Sequence, residues 1–243
     1  SMKLALVPLN PTLGDVTGNL DRIVLCTEQA IAQKCHLIVF PELSLVGYPP
    51  KDHLFFEAII QQQNKALEIL KRKSKWITIV VGGITKNHSF GARLKNEVFI
   101  LQNGQRTTYA KQLLPNYDVF DEHRYFEPGR DPLILKICGK KCGFTICEDI
   151  WTRSDTPETT YSLDPLARYQ TQKIDLMINI SASPFELGKL KQRHTLLSHI
   201  AKSLACPLIY VNQCGANDDL IFDGGAFVYN AQGQLIFETE RFK

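Results

Sequence analysis

Cys142-Gly143-Phe144-Thr145-Ile146-Cys147-Glu148-Asp149-Ile150-Trp151 is the stretch on which the reading of this chain turns. An apolar, β-rich run ends abruptly at a thiol, and two carboxylates and the start of a helix follow. Such a place suits a nucleophile: a strand fixes it from below, and the strand's carboxyl end leaves it open. A free cysteine is more often a small buried hydrophobe, so Cys147 alone decides nothing. Its weight comes from two other segments of the same build.

The first is Leu37-Ile38-Val39-Phe40-Pro41-Glu42, a short apolar strand that stops at a carboxylate. The second is Thr107-Thr108-Tyr109-Ala110-Lys111, a strand that stops at an ammonium. Each polar residue stands at the mouth of its own strand, where an α/β sheet gathers its catalytic groups. A carboxylate, an ammonium and a thiol form a sufficient set for acyl transfer. Glu42 can take the thiol proton, Cys147 can attack a carbonyl, and Lys111 can hold the developing oxyanion. A papain-like mechanism would need a histidine to activate the cysteine. None of His36, His53, His88, His123, His194 and His199 lies in a run of that strand-then-turn character.

Working outward, strands are predicted over 3–9, 36–40, 76–84, 97–102, 105–110, 133–138, 142–146, 175–180, 207–211, 226–229 and 234–237. Helices are predicted over 19–34, 54–72, 164–172 and 187–206. Leu20, Ile23, Val24, Thr27 and Ile31 share one face of the first helix, and Leu187, Leu190, Leu197, Ile200 and Leu204 one face of the last. Asn103-Gly104 between two strands is the strongest short-range hairpin signal, and Gly139 marks a second hairpin. Gly82-Gly83 and Gly224-Gly225 read as bulges rather than as a phosphate-binding loop. Residues 215–224 read as a polar loop. Strands covered by helices and mixed with hairpins imply layered α/β architecture rather than an all-parallel sheet. No Pro/Ser/Gly linker, repeat or low-complexity segment interrupts the chain, so 1–243 reads as a single domain.

Composition narrows the function. The 243 residues are 44% hydrophobic, ample for a buried core. The 28 basic and 25 acidic residues leave a net charge of +3, which does not point to nucleic acid. The basic run Lys71-Arg72-Lys73-Ser74-Lys75 sits at a predicted helix end, where cations complement the dipole. No apolar run suits a signal peptide or a bilayer span, so a cytoplasmic location without membrane contact is expected. Cys26, Cys35, Cys138, Cys142, Cys147, Cys206 and Cys214 make an odd count, which argues for reduced thiols. Cys138 and Cys142 lack a second Cys/His pair at ligand spacing, so no metal site is expected.

Three blocks then become recognisable. Phe40-Pro41-Glu42-Leu43-Ser44-Leu45-Val46-Gly47-Tyr48-Pro49-Pro50 resembles the glutamate block of the nitrilase (carbon–nitrogen hydrolase) superfamily. The run from Lys111 through Leu114-Pro115-Asn116-Tyr117 and Val119-Phe120-Asp121-Glu122 to Phe126 resembles its lysine block, and Ile146-Cys147-Glu148-Asp149-Ile150-Trp151 its cysteine block. The resemblance covers about residues 3–238. It implies a four-layer αββα sandwich and a Glu42-Lys111-Cys147 triad.

The variants of these blocks, with Ser181-Ala182-Ser183-Pro184-Phe185, Tyr210-Val211-Asn212-Gln213 and Leu220-Ile221-Phe222-Asp223-Gly224, are similar to the glutamine-dependent NAD synthetase branch. In that branch the module is a glutaminase that supplies ammonia to a separate synthetase domain. The resemblance implies glutamine contacts at Tyr117, Glu148, Ser183 and Lys189, with Glu122 supporting the lysine. Lys189 stands where bacterial members carry arginine, and a lysine keeps the charge without the bidentate geometry. Glu148 also suits the cap of a following helix. The glutaminase half-reaction needs no cofactor. ATP and Mg belong to the synthetase domain, which is expected carboxy-terminal to 1–243, and a homo-oligomer is expected. A stand-alone amidase for another ω-amide or carbamoyl compound, and a non-catalytic interaction subunit of the same fold, are the alternatives.

Overall fold

The computed structural model describes residues 1–47, 56–86, 94–114, 126–150, 164–183, 190–213, 215–217, 220–222 and 225–239. Five strands form the first sheet: β1 (Leu4–Leu6), β2 (Leu37–Val39), β3 (Thr78–Lys86), β4 (Leu94–Gln102) and β5 (Gln105–Ala110), in that spatial order. β1, β2 and β3 are parallel, while β4 runs against both β3 and β5. Two reversals restore the direction, so β5 ends at the same edge of the sheet as β2. Helices α1 (Val16–Ala32) and α2 (Phe56–Lys73) cover this sheet's outer face.

The second sheet uses β6 (Ile134–Ile137), β7 (Lys140–Ile146), β8 (Leu176–Ser181), β9 (Leu208–Asn212), β12 (Ala226–Tyr229) and β13 (Leu235–Glu238), in the order β13-β12-β9-β8-β7-β6. β7, β8 and β9 are parallel. A two-stranded ribbon, β10 (Gly215–Asn217) with β11 (Leu220–Phe222), replaces part of the loop expected at 215–224. Helices α3 (Leu166–Gln172) and α4 (Leu190–Leu204) cover the outer face of this sheet.

The layering follows from the two-residue period of a strand. Leu37, Val39, Val80, Val98 and Ile100 of the first sheet meet Phe144, Ile178, Ile180, Ile209 and Val211 of the second in one inner core. The intervening Ile38, Ile79, Val81, Phe99 and Leu101 face α1 and α2, and Met177, Leu208, Tyr210 and Phe227 face α3 and α4. The central strands β2, β8 and β9 are therefore buried on both faces, which is why they read as nearly continuous apolar runs, whereas the edge strand β13 is exposed. The result is the expected four-layer αββα sandwich.

Local signals explain most boundaries. Asn103 (φ 50°) and Gly104 (φ 76°) both adopt the left-handed turn that matches strand twist, as do Cys138 and Gly139 in the second hairpin. α1 begins three residues before the predicted start, because the Asp15 side chain accepts from the Gly18 amide at 3.0 Å. The bulge expected at Gly82-Gly83 is absent: β3 pairs in unbroken register with β4 through both residues. Close packing explains Gly82 instead. A Cβ there would lie 2.4 Å from the Leu43 nitrogen and 2.9 Å from the Glu42 carbonyl carbon. Among the described residues, no helix is long and apolar enough to cross a membrane.

Candidate active site

Glu42 stands three residues beyond β2, in a turn pinned from several sides. Leu43 adopts φ 56°, the Gly82 amide donates to Ser44 Oγ at 3.0 Å, and the Leu45 amide donates to the Gly82 carbonyl at 3.0 Å. Buried Asn19 on α1 donates to the Leu45 carbonyl at 3.1 Å. The turn therefore cannot drift, and its carboxylate is placed with it.

Lys111 follows β5 directly. Its amide donates to the Asn96 carbonyl at 2.8 Å, and its own carbonyl accepts from the Gly129 amide at 2.7 Å. From this fixed backbone its Nζ donates to Glu42 Oε1 at 2.9 Å, with both side chains 1% exposed. Asn96 Nδ2 donates to the same carboxylate oxygen at 3.3 Å. An ion pair withdrawn this far from water needs close geometry and added hydrogen bonds to offset desolvation, and this one has them.

Cys147 closes β7 and opens a single 3₁₀ turn, Cys147–Ile150. It is buried and has φ 42°, a left-handed conformation uncommon for a non-glycine residue. Asn179 Nδ2 donates to Thr145 Oγ1 at 3.0 Å and lies 3.5 Å from the Cys147 carbonyl, which ties the thiol-bearing turn to β8.

Two hydrogen-bonded links join the second sheet to the glutamate–lysine side. Gln213, just past β9, donates through Nε2 to the Glu42 carbonyl at 3.1 Å. Asp149, in the cysteine turn, accepts from the Gln112 and Leu113 amides beside Lys111. Tyr210 reports on both sides. Burial first, with Cys147 and Glu42 adding to it, pushes its hydroxyl up to about 12 against the opposing pull of Arg193 and the Ser181 hydrogen bond. The ends of β2, β5, β7 and β9 thus lie at one edge of the sandwich, the last of them without a role in the strand-end reading.

Ser183 lies beyond β8 at this same end. Its amide donates to Asn212 Oδ1 at 2.9 Å and its carbonyl accepts from Asn212 Nδ2 at 3.0 Å. Tyr117, Glu122, Lys189 and the Glu148 side chain lie outside the described residues. Asn96, Asp149, Asn179 and Gln213 received no role from the sequence. Each is a polar side chain buried inside or just beyond an apolar strand, and that mismatch was the available signal. Among the described residues no cluster of His, Cys, Asp and Glu could hold a metal ion. His194 instead packs on Phe227 and bonds Tyr229 in the outer α4 layer, and His36 accepts from the Lys3 amide.

A double-sheet sandwich with carboxylate, ammonium and thiol at its strand ends is the build of the carbon–nitrogen hydrolases. A family profile described as carbon-nitrogen hydrolase matches residues 3–243, and the chain belongs to that family. Within the family it is similar to glutamine-dependent NAD(+) synthetases. The protein of that name from Synechocystis sp. is 41% identical, covering 99% of this chain and 44% of the relative. That from Aquifex aeolicus is 33% identical, covering 100% and 41%. The solved glutamine-dependent NAD+ synthetase of Acinetobacter baumannii superposes with a TM-score of 0.88 at 35% identity, over 100% of this chain and 44% of that one. An amidase from Nesterenkonia sp. shares the fold, with a TM-score of 0.80 at 24% identity. The chain spans less than half the length of the synthetases it matches.

Proposed function

We propose that this chain is the glutamine-hydrolysing module of a glutamine-dependent NAD synthetase. The observation that carries the chemistry is the buried Glu42–Lys111 pair at 2.9 Å, tied through Asp149 to the turn that presents Cys147 and through Gln213 to the end of β9. The similarity to synthetases over the whole chain supports glutamine as the amide and deamido-NAD as the final ammonia acceptor.

Glu42 accepts the Cys147 thiol proton, and the sulfur bonds to the side-chain carboxamide carbon of glutamine. The carbonyl electrons move onto oxygen, where the Lys111 ammonium and the amide N–H following Cys147 hold them. Glu42 returns its proton to the departing nitrogen, the C–N bond breaks, and ammonia leaves behind a γ-glutamyl thioester. Water then loses a proton to Glu42, adds to the thioester and expels the sulfur, which recovers its proton as glutamate departs. Ser183 is assigned to the glutamine α-substituents, with Tyr117, Glu148 and Lys189, and Glu122 to the support of Lys111. No cofactor enters this half-reaction. ATP and Mg serve the separate synthetase domain, and the assembly is a homo-oligomer.

The test is turnover and labelling together. Unaltered protein releases ammonia from glutamine far faster than from simple aliphatic amides, and an electrophilic glutamine analogue adds once, at Cys147. Cys147→Ala folds normally and loses at least ~4 kcal/mol of transition-state stabilisation, about a thousandfold in rate. Equal rates on aliphatic amides would favour a stand-alone amidase. Substantial turnover by Cys147→Ala would remove the cysteine from the mechanism.

A further inference from the structure

Asp149 lies two residues beyond Cys147 and is completely buried, yet its carboxylate is fully engaged. Oδ1 accepts from the Gln112 amide at 2.9 Å and the Leu113 amide at 2.8 Å. Oδ2 accepts from the Tyr109 hydroxyl at 2.5 Å and the Ile146 amide at 3.0 Å. Gln112 Nε2 in turn donates to that hydroxyl at 3.2 Å. These donors are not scattered. Tyr109 precedes Lys111 by two residues, Gln112 and Leu113 follow it directly, and Ile146 precedes Cys147. One carboxylate thus grips the backbone around the ammonium and the backbone before the thiol, and those two segments come from different sheets.

A group bonded to only one side would merely cap its own turn. Four donors around one buried anion, drawn from both sides of a sheet interface, set a distance instead. Burial pushes the Asp149 carboxyl above its ordinary value. The Tyr109, Ile146 and Leu113 hydrogen bonds and the Lys111 charge oppose that push, so the anion and the ammonium favour one another. Tyr109 shows the complementary effect, its hydroxyl held protonated by burial and by the adjacent carboxylate.

We propose that Asp149 is a positioning residue that sets the spacing of the Lys111 ammonium and the Cys147 thiol across the sheet interface. The inference rests on the proposed triad but not on glutamine as its substrate. An amide at this position keeps the shape and loses the charge. Its NH₂ group must then face a backbone N–H or the Tyr109 hydroxyl, and the two segments part.

The experiment compares unaltered protein, Asp149→Asn and Tyr109→Phe in the complete protein. Alkylation of Cys147 by iodoacetamide is followed across pH by mass spectrometry of its peptide, beside steady-state ammonia release and thermal melting. A displacement of about 1 Å costs roughly a hundredfold in rate, so Asp149→Asn is expected to lose between ten- and a hundredfold in kcat with KM unchanged. Loss of the carboxylate alone would lower the pH of half-maximal alkylation, so the expected move to higher pH reports withdrawal of the Lys111 cation from the thiolate. Tyr109→Phe removes one donor and shows a smaller loss in the same parameters. A folded Asp149→Asn whose kcat and alkylation profile match the unaltered protein overturns the proposal, as does a loss confined to KM. If Asp149→Asn fails to fold, Tyr109→Phe decides by the same two readouts. Alkylation uses no glutamine, so a wrong substrate assignment would show in ammonia release alone and leave this comparison valid.

Discussion

At the residue scale, the Glu42–Lys111 pair carries the most consequence, because two opposite charges at 1% exposure stabilise one another only while both are present. Replacing one partner leaves an uncompensated buried charge, which typically costs about 3–5 kcal/mol. Lys111→Met is therefore expected to lose both activity and several kcal/mol of stability. Glu42→Gln combined with Lys111→Met is expected to regain most of that stability and none of the activity. Urea unfolding of the two single variants and the double variant measures the coupling. A double variant no more stable than Lys111→Met would show that the pair does not act as a unit. Cys147 was legible as a thiol at a strand end, but its φ of 42° was not. Backbone strain is imposed by the packing around a residue, and a sequence window does not contain that packing.

At the element scale, glycines separate two kinds of constraint. Gly104 needs its freedom only for the turn, since nothing lies within 4 Å of a Cβ built there. Gly82 lies in regular strand but leaves no room, with the Leu43 nitrogen and the Pro41 carbonyl oxygen both under 3.0 Å from such a Cβ. Gly104→Ala should cost about 1 kcal/mol of stability, the strain of a left-handed alanine, and leave kcat within about twofold. Gly82→Ala should cost about 1–3 kcal/mol and also depress kcat, because only movement of the Glu42 turn can relieve the contact. Comparison of melting temperature and kcat for both variants checks this. Equal effects on kcat would break the link between Gly82 and the glutamate. The difference also shows what was readable beforehand. Asn103-Gly104 announces its turn by local chemistry, and the hairpin fell where expected. The purpose of Gly82 lies 39 residues away in sequence, at Leu43, so its local sequence reads as a bulge instead. The ribbon of β10 and β11 is likewise invisible in the sequence, as its three-residue strands are too short to show a period.

At the scale of the whole molecule, the strand ends and the layers were legible because both depend on burial pattern, which a sequence carries directly. The contacts that bring the strand ends together were not, since Asp149, Gln213 and Asn96 act across the sheets or between distant turns. The proposed role as one part of a two-site enzyme gives an expectation for coupling. An occupied synthetase site that favours the active arrangement should speed ammonia release, and such couplings are typically ~1–3 kcal/mol, about 5- to 150-fold. Ammonia release from glutamine is expected to rise on adding ATP and deamido-NAD to the full synthetase, relative to this chain alone. An isolated chain already as fast as the stimulated enzyme would argue against coupling.

The two sheets are successive in the chain as well as stacked in space: the first is complete by Ala110, and the second begins at Ile134. A ribosome therefore finishes the half that holds Glu42 and Lys111 before it makes the half that holds Cys147. On the proposed mechanism the newborn first half has its proton acceptor and its cation but not the thiol they serve. When Cys147 emerges, its partners are already made, yet they come within reach only once the second layer closes onto the first. On the proposed mechanism, glutamine hydrolysis then arises only when the two layers close, and a half-made or half-opened module wastes no substrate.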